Sequence, residues 1–219
     1  MNAIKFLKYD LRRSKYLILL SVLVFIPLGF LMGYNSHAIT DLFSYMGLVA
    51  MIVPATMFSY EQKADCGFDN LLPATDMERV TGRFLTGGFF ILFELALALI
   101  FSQILGYVIG EKITNILAVV LIFIGITLIY LSILNTAFFI VGRGMNQQIK
   151  SVMMILPAMI LWGVTSSLIE MFGYETASVI IYIMEHLEML GAIMVAAGIA
   201  MNVAGIFICT SVIKKKDFV

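Results

Sequence analysis

Charged residues are scarce in this chain of 219 residues, where they make up 13% of the total against 61% hydrophobic residues. Soluble domains carry about 25% charged residues, so this composition excludes a water-soluble globular protein. The 14 basic and 14 acidic residues cancel to a formal net charge of +0. This balance by itself says little about partners, and the placement of the charges says more. We expect no nucleic-acid partner.

Cysteine and histidine are almost absent, with Cys66 and Cys209 as the two cysteines and His37 and His186 as the two histidines. Cys66 lies in a polar stretch and Cys209 in an apolar run, so we expect two free thiols and no disulfide framework. Two histidines are too few for a histidine-built metal site. We expect no cofactor in this chain.

Nucleotide-binding and catalytic motifs are also missing. Gly110-Glu111-Lys112 and Gly142-Arg143-Gly144 are glycine-containing segments, but neither has the order or the spacing of a phosphate-binding loop. The apolar segments contain no paired acids, no histidine cluster and no G-x-S-x-G motif. We expect that this chain is not an enzyme, and that any ATP it uses is bound by a partner.

Long apolar runs dominate what is present. A helix needs about 20 apolar residues to cross a bilayer, and only helices satisfy their own backbone groups there when no alternating barrel pattern exists. The sequence predicts an all-α membrane protein with one transmembrane domain, residues 1–219, and six spans. The predicted spans are Tyr16–Tyr34, Asp41–Tyr60, Phe84–Ile109, Ile116–Val141, Ser151–Ile169 and Met189–Ile213.

Lysine and arginine are distributed unevenly around these spans. With six spans, 13 of the 14 basic residues fall on the side of the termini, and only Lys112 falls on the other side. The positive-inside rule then places both termini in the cytoplasm. Residues 1–15 mix basic residues with Ile4, Phe6, Leu7 and Leu11, which suits an interfacial helix under the cytoplasmic leaflet. A merely basic flank to the first span is the alternative.

The longest cytoplasmic loop, residues 61–83, contains two local signals. Thr75 and Glu78 fit a capping box that starts the third helix near Asp76. Phe68, Leu71 and Leu72 are apolar residues in a charged setting, which indicates a docking surface for another protein. The alternative is that these three side chains rest on the bilayer or on neighbouring helices.

The loop between the fifth and sixth spans, residues 170–188, is acidic and contains no lysine or arginine. Its apolar stretch, residues 177–184, is too short to span a membrane. We predict a re-entrant or interfacial segment between the fifth and sixth spans, with a solvated amphipathic loop as the alternative. Its four acidic residues are Glu170, Glu175, Glu185 and Glu188.

Glu94 is the one charged residue well inside a predicted span, about ten residues beyond the cytoplasmic edge. An intramembrane carboxylate is costly and indicates a functional site. Glu94 therefore faces other helices or a wet cavity, or holds a proton. Asn135, beside Ser132 and Thr136 on the fourth span, and Asn202 in the sixth are candidate partners. A structural hydrogen bond between helices is the alternative reading of these polar residues.

Small residues recur on several spans. Gly29 and Gly33 form a GxxxG pattern, and Gly191, Gly198 and Gly205 recur every seven residues in the sixth span. Such stripes let helices approach closely. The pattern leaves open whether the neighbouring helix belongs to the same chain or to a second one.

The residues from position 61 to position 83 resemble the loop of ABC-2 type ABC transporter permeases. The matching order is Glu61, Lys63, Gly67, Leu72-Pro73, Thr75, Glu78-Arg79-Val80 and Arg83. The layout of the whole chain is also similar: an N-terminal amphipathic helix, six spans and both termini inside. The resemblance implies a multi-pass protein of the bacterial plasma membrane.

This resemblance implies two partners, a cytoplasmic ABC ATPase subunit that carries ATP and Mg²⁺, and a second permease copy or a paralogue. It places an ATPase-coupling element at residues 61–72, with Phe68 as the inserted side chain. The coupling residues are Glu61, Lys63, Gly67, Phe68, Leu71, Leu72 and Arg79.

The resemblance makes the expected function the export of a hydrophobic or amphipathic substrate, such as a peptide, lipid or drug. The translocation-path candidates are Glu94, Asn135 and Asn202. The segment at residues 170–188 also resembles the short helices that close the outer end of the path in this family, so the resemblance makes Glu170, Glu175, Glu185 and Glu188 the outer-gate candidates. A proton-coupled secondary transporter that uses Glu94 is the alternative function.

Overall fold

A computed structural model describes residues 3–63, 75–110, 115–141 and 186–216, and the side chains within 3–53, 75–110, 115–140 and 186–214. Throughout these ranges the regular structure is helical, which confirms the all-α class. Four helices are long and apolar enough to cross a membrane: Lys15–Ser36, Asp76–Ile109, Ile116–Ile140 and Leu187–Lys214. The predicted fifth span, Ser151–Ile169, lies outside the described residues, so the six-span count and the orientation of the termini stay predictions.

The described residues form seven α-helices, numbered in chain order. They are α1 (Ala3–Arg13), α2 (Lys15–Leu20), α3 (Ile26–Ser36), α4 (Ile39–Lys63), α5 (Asp76–Ile109), α6 (Ile116–Val141) and α7 (Leu187–Lys216). Between α2 and α3, Ser21–Phe25 forms a π-helical segment, so Lys15–Ser36 is one continuous span with a locally widened turn. π-Helical segments are rare in proteins, and those that occur often lie at functional sites.

Two helices extend beyond the spans that the apolar pattern predicted. The helix α4 continues from Ile39 to Lys63, past the predicted end at Tyr60, and its described apolar part is Ile39–Val53. The helix α5 begins at Asp76, before the predicted entry into lipid at Phe84. Hydropathy locates the apolar part of a helix, whereas hydrogen bonding and caps decide where the helix ends.

The largest core cluster joins the span Lys15–Ser36 to the helices α4, α5 and α6. Leu42 and Met46 of α4 are packed with Ile91 and Leu105 of α5 and with Phe123 of α6. All five side chains are buried. This cluster sets the relative positions of the helices that carry the candidate site residues.

Among the described helices, α6 and α7 pack together most extensively. Gly191, Gly198 and Gly205 of α7, which we call the glycine stripe, allow this close packing. A Cβ atom at Gly191 would lie 2.7 Å from Cβ of Leu121, and one at Gly198 would lie 2.7 Å from Cβ of Leu128. A Cβ at Gly205 would lie 2.9 Å from the Thr136 hydroxyl oxygen. The sequence left open whether these glycines face a helix of the same chain or of a second one. In the structure they face α6 of the same chain.

Candidate functional site

The N-terminal half of α5 is fixed to α1 by a group that we call the α1–α5 anchor: Phe6, Asp10, Gly82, Arg83 and Thr86. Arg83 Nη1 lies 2.7 Å from Asp10 Oδ2, and the two residues are 6% and 0% exposed. The Thr86 hydroxyl donates to the same Asp10 oxygen at 3.0 Å. The Phe6 ring lies 5.1 Å from the Arg83 guanidinium carbon. A buried arginine is therefore matched by a carboxylate and an aromatic face.

Gly82 permits this approach of the two helices. A Cβ atom at position 82 would lie 2.8 Å from Cβ of Phe6, closer than real Cβ contacts occur. Because Cβ of Phe6 is fixed to the backbone of α1, the clash would push α1 away from α5. The absence of a side chain at Gly82 is what brings Asp10 within reach of Arg83.

The start of α5 is capped as the sequence predicts. The Glu78 backbone N–H donates to Thr75 Oγ1 at 3.3 Å, and the Thr75 backbone N–H donates to Glu78 Oε2 at 2.8 Å. The predicted capping box is confirmed. These bonds satisfy two of the free backbone donors at the helix start, so α5 has a defined first turn next to the predicted coupling segment.

The described part of the chain contains three of the predicted ATPase-coupling residues. Glu61 and Lys63 belong to the last turn of α4, where only the backbone is described. Arg79 lies in the second turn of α5 and is half-buried. The remaining four, Gly67, Phe68, Leu71 and Leu72, lie outside the described residues. The docking role of the whole set stays a prediction.

Glu94 is fully buried at the middle of α5, with an exposed fraction of 0%. The Ser21 side chain, at the start of the π-helical segment, lies near this carboxylate. Among the described residues, the Ser21 hydroxyl is close enough to act on the carboxylate, but neither group makes a hydrogen bond of good geometry. Burying polar groups without hydrogen bonds is costly, which makes this pair the strongest intramembrane site candidate.

Asn135 and Asn202 have different surroundings. Asn135 of α6 is 0% exposed, and in the part of the chain that the structure describes its amide makes no hydrogen bond. Asn202 of α7 donates from Nδ2 to the Leu128 carbonyl at 2.8 Å and to the Gly198 carbonyl at 2.7 Å. Asn202 therefore links α6 to α7, which favours the structural reading for this residue.

The outer-gate candidates are described at one position. Glu188 lies in the first turn of α7 and is exposed, where its charge favours the positive end of the helix. The other three candidates, Glu170, Glu175 and Glu185, lie outside the described residues, and so does most of the predicted gating segment. The gate stays a prediction.

Sequence reasoning missed Asp10, although a signal for it was present. Asp10 is the one acidic residue among the first 40, and it follows Phe6 by four positions, on the same helix face. An acid that shares a face with an aromatic residue, in an otherwise basic amphipathic helix, indicates an inward-facing position with a basic partner elsewhere in the chain.

Comparison with protein families confirms the family that the sequence resembles. No curated protein and no solved structure matches the chain. The family described as ABC-2 family transporter protein matches residues 6–214, almost the whole chain. Proteins of this family are membrane transport components and not catalytic ones. The chain therefore belongs to the ABC-2 family of transporter membrane proteins.

Proposed function

We propose that this chain is the permease subunit of an ATP-driven exporter in a bacterial plasma membrane. A separate cytoplasmic ABC ATPase binds ATP and Mg²⁺, and two permease chains, identical or paralogous, form the path. The substrate is hydrophobic or amphipathic, such as a peptide, lipid or drug. The family match over residues 6–214 carries this proposal.

The architecture of α5 supports coupling to an ATPase at residues 61–83. This helix is continuous over 34 residues from Asp76 to Ile109, about 50 Å at 1.5 Å per residue. Its capped start adjoins the proposed docking segment, and its middle carries Glu94. A displacement applied at the docking segment therefore reaches the centre of the spans through one rigid element.

The α1–α5 anchor supports the transfer of this motion to the first span. Asp10 and Arg83 hold α1 against α5, and α1 leads through Ser14 into the span that begins at Lys15. The Ser14 backbone N–H donates to the Asp10 carbonyl at 2.9 Å, so the connection between α1 and that span is helical in character. We infer that α1, α5 and the first span move together.

Glu94 and Asn135 are the proposed polar positions of the path, whereas Asn202 is a structural link between α6 and α7. Glu94 also motivates the second candidate, a proton-coupled secondary transporter, because its buried carboxyl makes no hydrogen bond among the described residues. Membership of the ABC-2 family favours the ATP-driven mechanism instead. In that mechanism Glu94 is a polar position on the path between the first and third spans.

The test is reconstitution with and without the ATPase. The chain is tagged in its native host, and an ATPase subunit that co-purifies with it is identified. We expect no ATP hydrolysis by the chain alone, and ATP-dependent substrate movement in proteoliposomes that contain both subunits. A proton ionophore leaves this transport unchanged. Transport without ATP that the ionophore abolishes would instead establish the proton-coupled mechanism.

Orientation is tested separately by thiol labelling of sealed cells. Single cysteines are introduced at His37, Asp69, Glu175 and Lys215 in a variant that lacks Cys66 and Cys209. An impermeant reagent is expected to label positions 37 and 175 and to leave 69 and 215 unlabelled. Labelling at position 69 from outside would place the proposed docking segment on the wrong side for a cytoplasmic ATPase.

A further inference from the structure

One surface of α1 and of the first turn of α2 is basic and contains no acidic residue. Lys8, Arg12 and Lys15 are exposed there, and we call these three residues the basic stripe. The one acidic residue of the segment, Asp10, is 0% exposed and paired with Arg83 inside the protein. Because Asp10 is paired with Arg83, no other acidic residue of α1 or α2 is present to neutralise the stripe.

The α1–α5 anchor fixes the direction in which the basic stripe points. Successive helix residues are about 100° apart, so Phe6 and Asp10 share one side of α1. Lys8 and Arg12 lie roughly opposite them on the same helix. Lys15 follows Arg12 by three positions and continues the stripe into α2. Because α1 cannot rotate without breaking the Asp10–Arg83 contact, the stripe is held facing outward.

We propose that the basic stripe binds the headgroups of anionic phospholipids. The helix α1 runs through Ser14 directly into the first membrane span at Lys15, which places the stripe at the depth of lipid headgroups. Tyr16, which follows the stripe and is 71% exposed, is a residue type that prefers the interface. Lysine and arginine supply the positive charge and the N–H donors that a lipid phosphate requires.

Apolar residues next to the basic stripe fit the same partner. Ile4, Leu7 and Leu11 follow one another at helix spacing on the adjacent face. Ile4 is 57% exposed and Leu7 is half-buried, so these two side chains are open to lipid, whereas Leu11 packs against the protein's own cluster of Val49, Val53 and Phe90. A basic strip beside an apolar strip matches the charged and hydrocarbon layers of a lipid surface. An acidic protein surface would satisfy the charges without explaining the position beside the span.

The test compares lipid binding by two charge-matched variants of the purified full chain in neutral detergent. One variant carries Lys8→Gln, Arg12→Gln and Lys15→Gln, and the control carries Lys214→Gln, Lys215→Gln and Lys216→Gln. Native mass spectrometry measures bound phosphatidylglycerol and phosphatidylcholine with identical acyl chains. Both variants keep Asp10 and Arg83, and circular dichroism verifies that each remains folded.

We expect wild-type protein to prefer phosphatidylglycerol, and this preference to weaken with added salt. Each removed charge is expected to weaken binding about fivefold, so the stripe variant loses about 100-fold. The tail control keeps most of the preference. Glycerol 3-phosphate should compete only weakly, because it lacks the acyl chains that the apolar strip contacts.

Three results would overturn the proposal. The first is an equal affinity of wild type for the two lipids, and the second is an equal loss in the stripe variant and the tail control. The third is an unchanged lipid preference in the stripe variant. In that case a separate ATPase pull-down in which this variant has lost binding would assign the stripe to a protein partner. The lipid assay contains no ATPase, so its failure is distinguishable from a failure of the proposed transport function.

Discussion

The buried pair of Asp10 and Arg83 allows a direct test of how α1 is held on α5. Replacing Asp10 by Asn keeps the size of the side chain and removes its charge. Arg83 then loses the carboxylate oxygen that lies 2.7 Å from its Nη1, while remaining 6% exposed. Removing one partner of a buried ion pair costs about 3–5 kcal/mol. The amide oxygen of Asn still accepts a hydrogen bond, so we expect a loss near 3 kcal/mol.

The measurement is the free energy of unfolding in mixed detergent micelles, followed by circular dichroism as denaturing detergent is added. A double-mutant cycle of Asp10→Asn and Arg83→Gln isolates the interaction. We expect each single variant to be clearly destabilised and the double variant to lose much less than the sum. The matched control is Asp41→Asn, the same substitution at an exposed position of α4, where the expected change is within about 0.5 kcal/mol.

Two results would refute this reasoning. If Asp10→Asn is no more destabilising than Asp41→Asn, the ion pair does not hold α1 in place. If the two single effects add without interaction, Asp10 and Arg83 act independently despite their contact.

Three further predictions concern the docking segment, the intramembrane acid and the glycine stripe. Phe68→Ala should weaken ATPase binding by about 1.5–3 kcal/mol in a pull-down. The control Phe207→Ala, at a 60% exposed position of α7, should leave ATPase binding unchanged. A Phe68→Ala protein that is less stable but couples fully to the ATPase would contradict the docking role. Glu94→Gln should fold normally and change the transport rate, and unchanged transport with both Gln and Ala at this position would make Glu94 a packing residue. Gly198→Ala should destabilise the α6–α7 pair by about 1–3 kcal/mol in thermal unfolding. Gly88→Ala should not, because among the described residues no atom outside the adjoining backbone of α5 lies within 4 Å of its added Cβ.

The helices and their starts were predictable because they depend on local properties. A segment in lipid must satisfy its backbone hydrogen bonds within itself, so a long apolar run is sufficient to indicate a helix. The capping box at Thr75 joins residues only three positions apart, and it occurs as predicted. The segment Ser21–Phe25 was not predicted, since the choice between α- and π-helical hydrogen bonds depends on packing that hydropathy does not report.

The candidate site was only partly predictable for a related reason. Glu94 was recognisable because any charge in an apolar run is conspicuous, and its complete burial agrees with that expectation. The environment of Asn202 was not recognisable, because its acceptor is the backbone carbonyl of Leu128, 74 positions away. A carbonyl acceptor leaves no trace in the amino-acid sequence, since every residue has one.

The protein class, the apolar helices and the resemblance to the ABC-2 family were readable from the amino-acid sequence, because composition, helix periodicity and local caps are properties of neighbouring residues. Which helices contact one another depends on the packing of the folded chain. In the folded chain Asp10 faces inward and contacts Arg83, and the glycine stripe that contains Gly198 packs against α6 of the same chain. Periodicity shows which face of a helix is special, but the neighbour of that face depends on contacts between distant segments, which only the packed chain fixes.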